Sequence, residues 1–360
     1  MTPSPSSSRL DSLDILRGVT VVGMIVVNNG WEGYFPTLTH SVWNGLTVCD
    51  LVFPFFLFIM GISMSLSLSK SQFRMSTHLM LKIFRRTLLL FTIGLFINWF
   101  SCAVDGDLGF SHLRVWGVMQ RIALCYCLAA FLALSVDHRF LVPIILLLLL
   151  FHTLLLLIGN GYAMDDTNIL ARADRALFGA EHLYRKSPVD PEGLLATPIS
   201  TAHVLLGLYC GKLIKRSDQL QANAMHTLLL GTILLTSGWL LTQFGLPLNK
   251  RVWSPSYLLV TCGAAALLQG LLLYIIDIRH ISLCSNFFRV FGVNALVLYV
   301  VSELLNIILA SCGISAIIYS AVHSAIPSLP WASLAYSLVF LMLCSLPGYF
   351  LYRHDVYIKL

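Results

Sequence analysis

The chain has 360 residues, 57% of them hydrophobic and 11% charged, with a mean hydropathy of +0.81. Soluble domains carry about 25% charged residues, so a soluble globular protein is excluded, and the lack of alternating strand patterns argues against a membrane β-barrel. The formal net charge of +6 does not mark a nucleic-acid binder, because basic residues sit beside alternate ends of apolar runs instead of in one patch.

The fold class expected is therefore an all-α polytopic membrane protein, with the lipid bilayer as its first partner. Runs such as 140–158 and 258–276 are long enough to cross a hydrocarbon core of about 30 Å as helices. About ten spans are predicted, over 14–29, 46–69, 80–100, 115–136, 140–158, 199–215, 224–244, 256–277, 288–311 and 331–352. Residues 1–12 read as a disordered cytoplasmic tail, and 13–360 as a single transmembrane domain. The first span follows Arg9 and Arg17 much as a signal peptide would. No small-residue cleavage site comes after it, so an uncleaved span is expected.

Between spans one and two lies a short loop loaded with polar and aromatic groups: Asn28, Asn29, His40, Trp43 and Asn44, with Asp50 just inside the second span. A neutral imidazole can act as base or nucleophile, and an unperturbed pKa of about 6.5 suits both tasks. An isolated loop histidine would carry no such expectation; the neighbours of His40 supply it. A carboxylate such as Asp50 costs roughly 2.5–3.5 kcal/mol at a bilayer centre and wants a partner even near its edge. Bonded to one imidazole nitrogen it would fix the tautomer and support an imidazolium. Alternatively it caps the second helix after Thr47.

Further along, Arg17 reads as a snorkelling anchor, and Lys82, Arg85 and Arg86 form a basic inner rim that suits lipid headgroups or a cytoplasmic polyanion. In GVMQRIALCYC, Gln120 and Arg121 lie about one turn into the fourth span. The Arg121 fork suits phosphate oxygens or a structural pair with Glu303 or Asp50. Glu303, in span nine, is itself a carboxylate without an obvious partner. The long extracytoplasmic loop 159–198 is acidic, with Asp190 and Glu192 at its end and a short helix expected in ADRALFGAEHLY. It serves either as a solvated cover or as a lid and substrate wall.

A second outer loop, LPLNKRVWSPSYLL, mixes amide, charge and aromatic faces in Asn249, Lys250, Trp253, Ser254 and Tyr257. Such a mixture suits sugar hydroxyls and rings, although Trp253 alone fits an interfacial belt. The nine cysteines are scattered as packing residues, and Cys102 and Cys312 could pair outside. No metal-binding pattern is present, and Walker, G-x-S-x-G and H-E-x-x-H patterns are absent, against ATP hydrolysis, serine hydrolase chemistry and zinc proteolysis. Lys and Arg favour the segments sharing a side with the N-terminus, so both termini are expected in the cytoplasm and His40 at the outer face.

SLDILRG, VVNNG, HSVWNGLTVCDLVFPFFLFIMG, GVMQRIALCYC, DPEGLLATPIS and NKRVWSPSY resemble the catalytic membrane domain of the heparan-α-glucosaminide N-acetyltransferase family and its bacterial NagX-like relatives. The resemblance implies a transmembrane acyltransferase that moves acetyl from cytoplasmic acetyl-CoA to the amino group of an extracytoplasmic glucosamine-type sugar. It places the family's active-site histidine on His40, as acetyl acceptor or general base, and a neighbouring asparagine on Asn28; Asp50 joins them by the reasoning above. Arg17, Arg85, Arg86, Gln120 and Arg121 are expected to serve acetyl-CoA by position and charge, outside the matched motifs. Trp43, Asn44, Asp190, Glu192, Asn249, Lys250, Trp253, Ser254 and Tyr257 are expected around the acceptor. The chain is expected to lack the large luminal domain of the animal enzyme and to lie in a bacterial inner membrane, a homodimer being the assembly allowed for. Two other classes compete: an amino-sugar transporter or permease, and an O-acyltransferase acting on a glycan hydroxyl. Against the transporter stand the absence of an internal repeat and the position of His40 at the rim instead of the midplane.

Overall fold

The computed structural model describes residues 10–184, 187–281 and 285–358. Arg9, Arg185, Lys186 and Lys359, counted in the charge bias, lie outside the described residues, as does most of the expected tail. Among the described residues the chain is helical throughout: α1 (Asp11–Asn28), α2 (Val48–Leu68), α3 (Thr77–Val104), α4 (Val118–Ser135), α5 (Leu141–Ile158), α6 (Ile169–Phe178), α7 (Thr197–Ile214), α8 (Leu220–Gln243), α9 (Pro255–Leu272), α10 (Ser285–Val293), α11 (Ala295–Ser311), α12 (Ile314–Ala325) and α13 (Leu329–Arg353). Eight helices in this set are long and apolar enough to cross a membrane, and nine segments if α10 and α11 count as one. The 18-residue α1 carries Asp11, Asp14 and Arg17 in its first two turns, which dilutes its apolar character.

The helix starts follow from local chemistry. Asp11 and Ser12, expected in the tail, already belong to α1, because the Asp277 carboxylate accepts hydrogen bonds from both backbone N–H groups at 3.2 Å. That ties the first span to the helical turn Leu273–Ile278 that follows α9 and satisfies donors that a helix start leaves open. In place of the short helix expected over ADRALFGAEHLY, α6 starts four residues earlier, where the Asn168 side chain accepts from Leu170 N–H. It stops at Gly179, whose φ of +76° few other residues adopt.

Packing places α7 at the centre, against α2, α4, α5 and α9. Gly61 on α2 faces the Val204 carbonyl and Gly207 on α7 faces the Phe58 carbonyl, so a Cβ at either would collide with backbone. Such small-residue contacts let membrane helices approach without a hydrophobic driving force.

The single span expected over 288–311 is instead two helices meeting at 82°. Gly292 packs directly on the backbone of α1 at Asp14, which directs α10 along α1 before the chain turns at Asn294 into α11. After α13 the chain comes back to this break. Asn294 Nδ2 donates to the Val356 carbonyl at 2.9 Å, and its Oδ1 accepts from Ile358 N–H at 3.0 Å. Cys102 and Cys312 are both free, so the outer disulfide is not formed.

Candidate active site

The loop between α1 and α2 is stapled to two other loops at its end of the bundle. Trp43 Nε1 donates to the Tyr162 carbonyl at 2.9 Å, Gly45 N–H to the Leu248 carbonyl at 2.8 Å, and Asn249 Nδ2 to Asn44 Oδ1 at 3.0 Å. These bonds fix the loop so that His40 is held over the first turn of α2.

There Asp50 performs both tasks read from the sequence, one with each oxygen. Its Oδ2 accepts from Thr47 N–H at 3.2 Å, Thr47 Oγ1 at 3.0 Å and Ser41 N–H at 3.1 Å, which caps the helix. Its Oδ1 lies 2.8 Å from His40 Nδ1. The Asp50 side chain is fully buried, whereas that of His40 is 51% exposed. A buried, ionised carboxylate can only accept, so in the neutral imidazole this contact assigns the proton to Nδ1 and leaves the lone pair on Nε2, with Cys49 Sγ 3.6 Å from it. Lys250 Nζ lies 3.0 Å from Nδ1 and 3.4 Å from Asp50 Oδ1. With Nδ1 protonated, the ammonium pairs with the carboxylate. Cys49 Sγ lies 3.1 Å from the same nitrogen.

Asp50 also depends on a bond behind it. Pro54 has no N–H to give the carbonyl four residues earlier, which is that of Asp50. Tyr257 Oη donates to this carbonyl at 2.7 Å. Trp253, with φ of +52°, packs edge-on against Phe53 and Tyr257 and is fully enclosed. Ser254 Oγ accepts from Asn249 N–H at 3.0 Å, and Asn249 Oδ1 from Val252 N–H at 3.2 Å.

A cavity of about 670 Å³ opens beside His40. Along α2 it is lined from Cys49 to Leu68, about 28 Å at 1.5 Å per residue and close to the hydrocarbon thickness. One end carries His40, Asn28, Arg114, Glu192 and Lys250; the other carries Arg17, Lys82 and Arg86. Arg17 is set there by Asp14 Oδ1 at 3.0 Å, Ser63 Oγ at 2.9 Å and the Gly292 carbonyl at 3.2 Å, donating in each case. The Arg86 guanidinium lies 4.6 Å over the Tyr126 ring.

Of the residues expected around acetyl-CoA and the acceptor, Arg17, Arg86, Glu192 and Lys250 reach the cavity. Trp43, Asn44, Asn249, Trp253, Ser254 and Tyr257 do not; they hold its walls and present Lys250. Asp190 also stays outside, pairing Arg114 at 2.7 Å alongside the 2.7 Å contact of Arg114 with Glu192. Arg85 is exposed away from the cavity. Gln120 is buried against Gly94 between α3 and α4. Arg121 is fully buried and donates to the Gly193 carbonyl and Ser200 Oγ at 2.5 Å each and to the Ala196 carbonyl at 3.2 Å. Its two terminal nitrogens are committed to the turn that starts α7, and among the described residues neither Glu303 nor Asp50 is its partner.

The reading of the sequence missed Arg114. A single basic residue before VWGVMQ gave no sign that two carboxylates nearly eighty positions later would converge on it. Burial pushes the Glu192 carboxyl up, but the charges of Arg114 and Lys250 more than offset this and hold it below the usual range. Asp174, on α6, goes the other way. Burial pushes it to about 6, against the pull of the Leu194 N–H that it accepts and with the nearby Asp190 charge adding to the rise.

The family model described as "Heparan-alpha-glucosaminide N-acetyltransferase, catalytic" matches residues 9–183. The mouse heparan-alpha-glucosaminide N-acetyltransferase is 31% identical over 364 residues, covering 85% of this chain and 55% of the mouse protein. The human protein of that name is 30% identical over 357 residues, covering 82% of this chain and 53% of the human one. The chain thus spans about half the length of the curated relatives it matches. It belongs to the heparan-alpha-glucosaminide N-acetyltransferase family.

Proposed function

We propose that this chain is a membrane-embedded N-acetyltransferase that moves acetyl from cytoplasmic acetyl-CoA to the amino group of a glucosamine-type sugar on the opposite side. The observation that carries the reading is the single cavity joining the basic rim of Arg17, Lys82 and Arg86 to His40. The rim suits the phosphates of a CoA whose pantetheine arm lies along the apolar wall of α2, placing the thioester near His40. The rim then faces the cytoplasm and His40 the outside, in line with the distribution of Lys and Arg. A bacterial inner membrane remains the expected location.

With Nδ1–H held by Asp50, the free Nε2 takes a proton from the attacking amine as its nitrogen bonds to the thioester carbonyl. The C–S bond then breaks, and the departing thiolate recovers that proton from the imidazolium. Asn28 and Lys250 are the donors placed to face the developing oxyanion. Because one cavity serves both ends, donor and acceptor can meet at His40, and transfer needs no acetyl-imidazole.

Detergent-purified protein given acetyl-CoA and glucosamine should release CoA thiol, and His40→Ala should abolish the release. Uptake of labelled sugar without acetylation would sink the enzyme reading in favour of transport. Loss of the product's acetyl group in mild base would favour ester formation on a hydroxyl. A mass increase of one acetyl group on protein incubated with acetyl-CoA alone, absent in the His40 variant, would replace direct transfer by an acetyl-histidine route.

A further inference from the structure

Among the described residues, two carboxylates line the cavity, and they are not equivalent. Glu192 is bound by Arg114 at 2.7 Å. Glu303 receives no hydrogen bond and no ion pair from any described residue. It sits on one face of α11 with Ala295, Leu296 and Tyr299, all of which line the same cavity. The spacing of these positions, three to four residues apart, turns that whole face inward.

Its level along the cavity can also be read. Ala295 lies near the Gly292 carbonyl that Arg17 grips, and eight further residues of helix carry Glu303 about 12 Å toward the other end. Arg17 is held at Ser63 of α2, and Asp50, which holds His40, lies thirteen residues or about 20 Å further along that helix. A rise of about 12 Å therefore sets Glu303 in the half of the cavity nearer His40.

A carboxylate kept in a membrane span without a partner is expensive, and such residues mark ligand paths. What is missing is a cation. A hard metal ion would need several oxygen ligands, and among the described residues no group of three acidic, histidine or cysteine side chains could hold one. One carboxylate beside one phenol matches a primary ammonium, which offers three donors and a single charge.

We propose that Glu303 is the specificity-determining contact for the acceptor, receiving its amine in the protonated, cationic form; the ammonium gives one proton to the Glu303 carboxylate, which later releases it to water, and His40 takes the second as the neutral amine attacks. The inference rests on the N-acetyltransferase reading for the identity of the acceptor. It adds the reason why the cavity would select an amino sugar over the corresponding neutral sugar.

Equilibrium binding to the detergent-purified full chain tests this with glucosamine, glucose and methylammonium as probes. Wild-type protein should bind glucosamine about tenfold more tightly than glucose, methylammonium should compete, and methanol should not. Glu303→Gln should abolish the preference and raise the KM for glucosamine about tenfold while leaving the KM for acetyl-CoA within about twofold. Glu303→Asp, which keeps the charge, should fall between. A Gln variant that retains the preference for glucosamine, or one whose defect is in acetyl-CoA, would overturn the assignment. The wild-type competition with methylammonium stands even if the variant fails to fold, and its absence would overturn the proposal as well. Charge-selective binding without thiol release would mean that acetyl transfer fails and the Glu303 assignment holds. Thiol release with an unchanged glucosamine KM in the Gln variant would mean the reverse.

Discussion

The Tyr257 hydroxyl donates to the backbone carbonyl of Asp50 at 2.7 Å, across 207 positions of sequence. The bond supplies the hydrogen that Pro54 cannot give, and so steadies the turn of α2 that presents the Asp50 carboxylate to His40. Removing the hydroxyl leaves a buried carbonyl unsatisfied, a loss of about 1–3 kcal/mol. Tyr257→Phe should therefore lower the melting temperature in detergent and reduce kcat together. Pro54→Ala restores an N–H four residues after Asp50, so the double variant should regain most of the lost stability. No recovery would show that the hydroxyl acts in some other way.

Asp50→Asn separates the two tasks of that side chain. An amide oxygen can still accept from Thr47, so helix capping should survive and the melting temperature should move little. His40 loses its anionic partner, and kcat should fall by about 10²–10⁴-fold, the range ascribed to oriented general bases. A variant that unfolds while keeping its rate per folded molecule would reverse this order of importance.

Arg114 neutralises Asp190 and Glu192 at the cavity mouth, and its guanidinium also lies 4.7 Å over the Tyr184 ring. Arg114→Ala strands two buried carboxylates, at a cost of about 3–5 kcal/mol. Adding Asp190→Asn and Glu192→Gln to it should recover much of the stability, because no unpaired charge then remains. Thermal unfolding of the three proteins decides the point.

Asp174 gives a pH dependence of known sign. Its folded pKa of about 6 stands above the 3.8 of a free aspartate, so between these values the folded chain holds a proton that the unfolded chain has released. Stability should fall as pH rises through that window, by up to about 3 kcal/mol once pH exceeds 6. Asp174→Asn keeps an oxygen for Leu194 N–H and removes the ionisation. The variant should gain on the wild type in thermal unfolding from pH 4 to 7, and parallel curves would show that Asp174 does not titrate there.

The His40–Asp50 pair was legible because a loop and the first turn of the following helix hold both, and short-range sequence carries that geometry. The dual role of Asp50 was not, since each of its oxygens answers a different question and the one-dimensional string offers only one residue. Trp253 and Tyr257 carry the chemistry of a sugar site, and nothing in the sequence says whether an aromatic at a membrane edge faces a ligand or the next helix. The left-handed turn at Trp253 faces them inward. Arg121 was expected to bind phosphate because an intramembrane charge demands a partner; that demand is met by backbone carbonyls, which no residue pattern displays. The break in span nine was hidden for a related reason, as 288–311 is mostly apolar and nothing in the string shows the close seat of Gly292 on α1 beside the turn at Asn294.

The clasp between Asn294 and residues 356–358 has a practical side. Ile358 lies on the cavity wall together with Arg17, so whatever is attached downstream of it starts at the basic end of the cavity. A bulky fusion there would crowd the entrance or prise the clasp open.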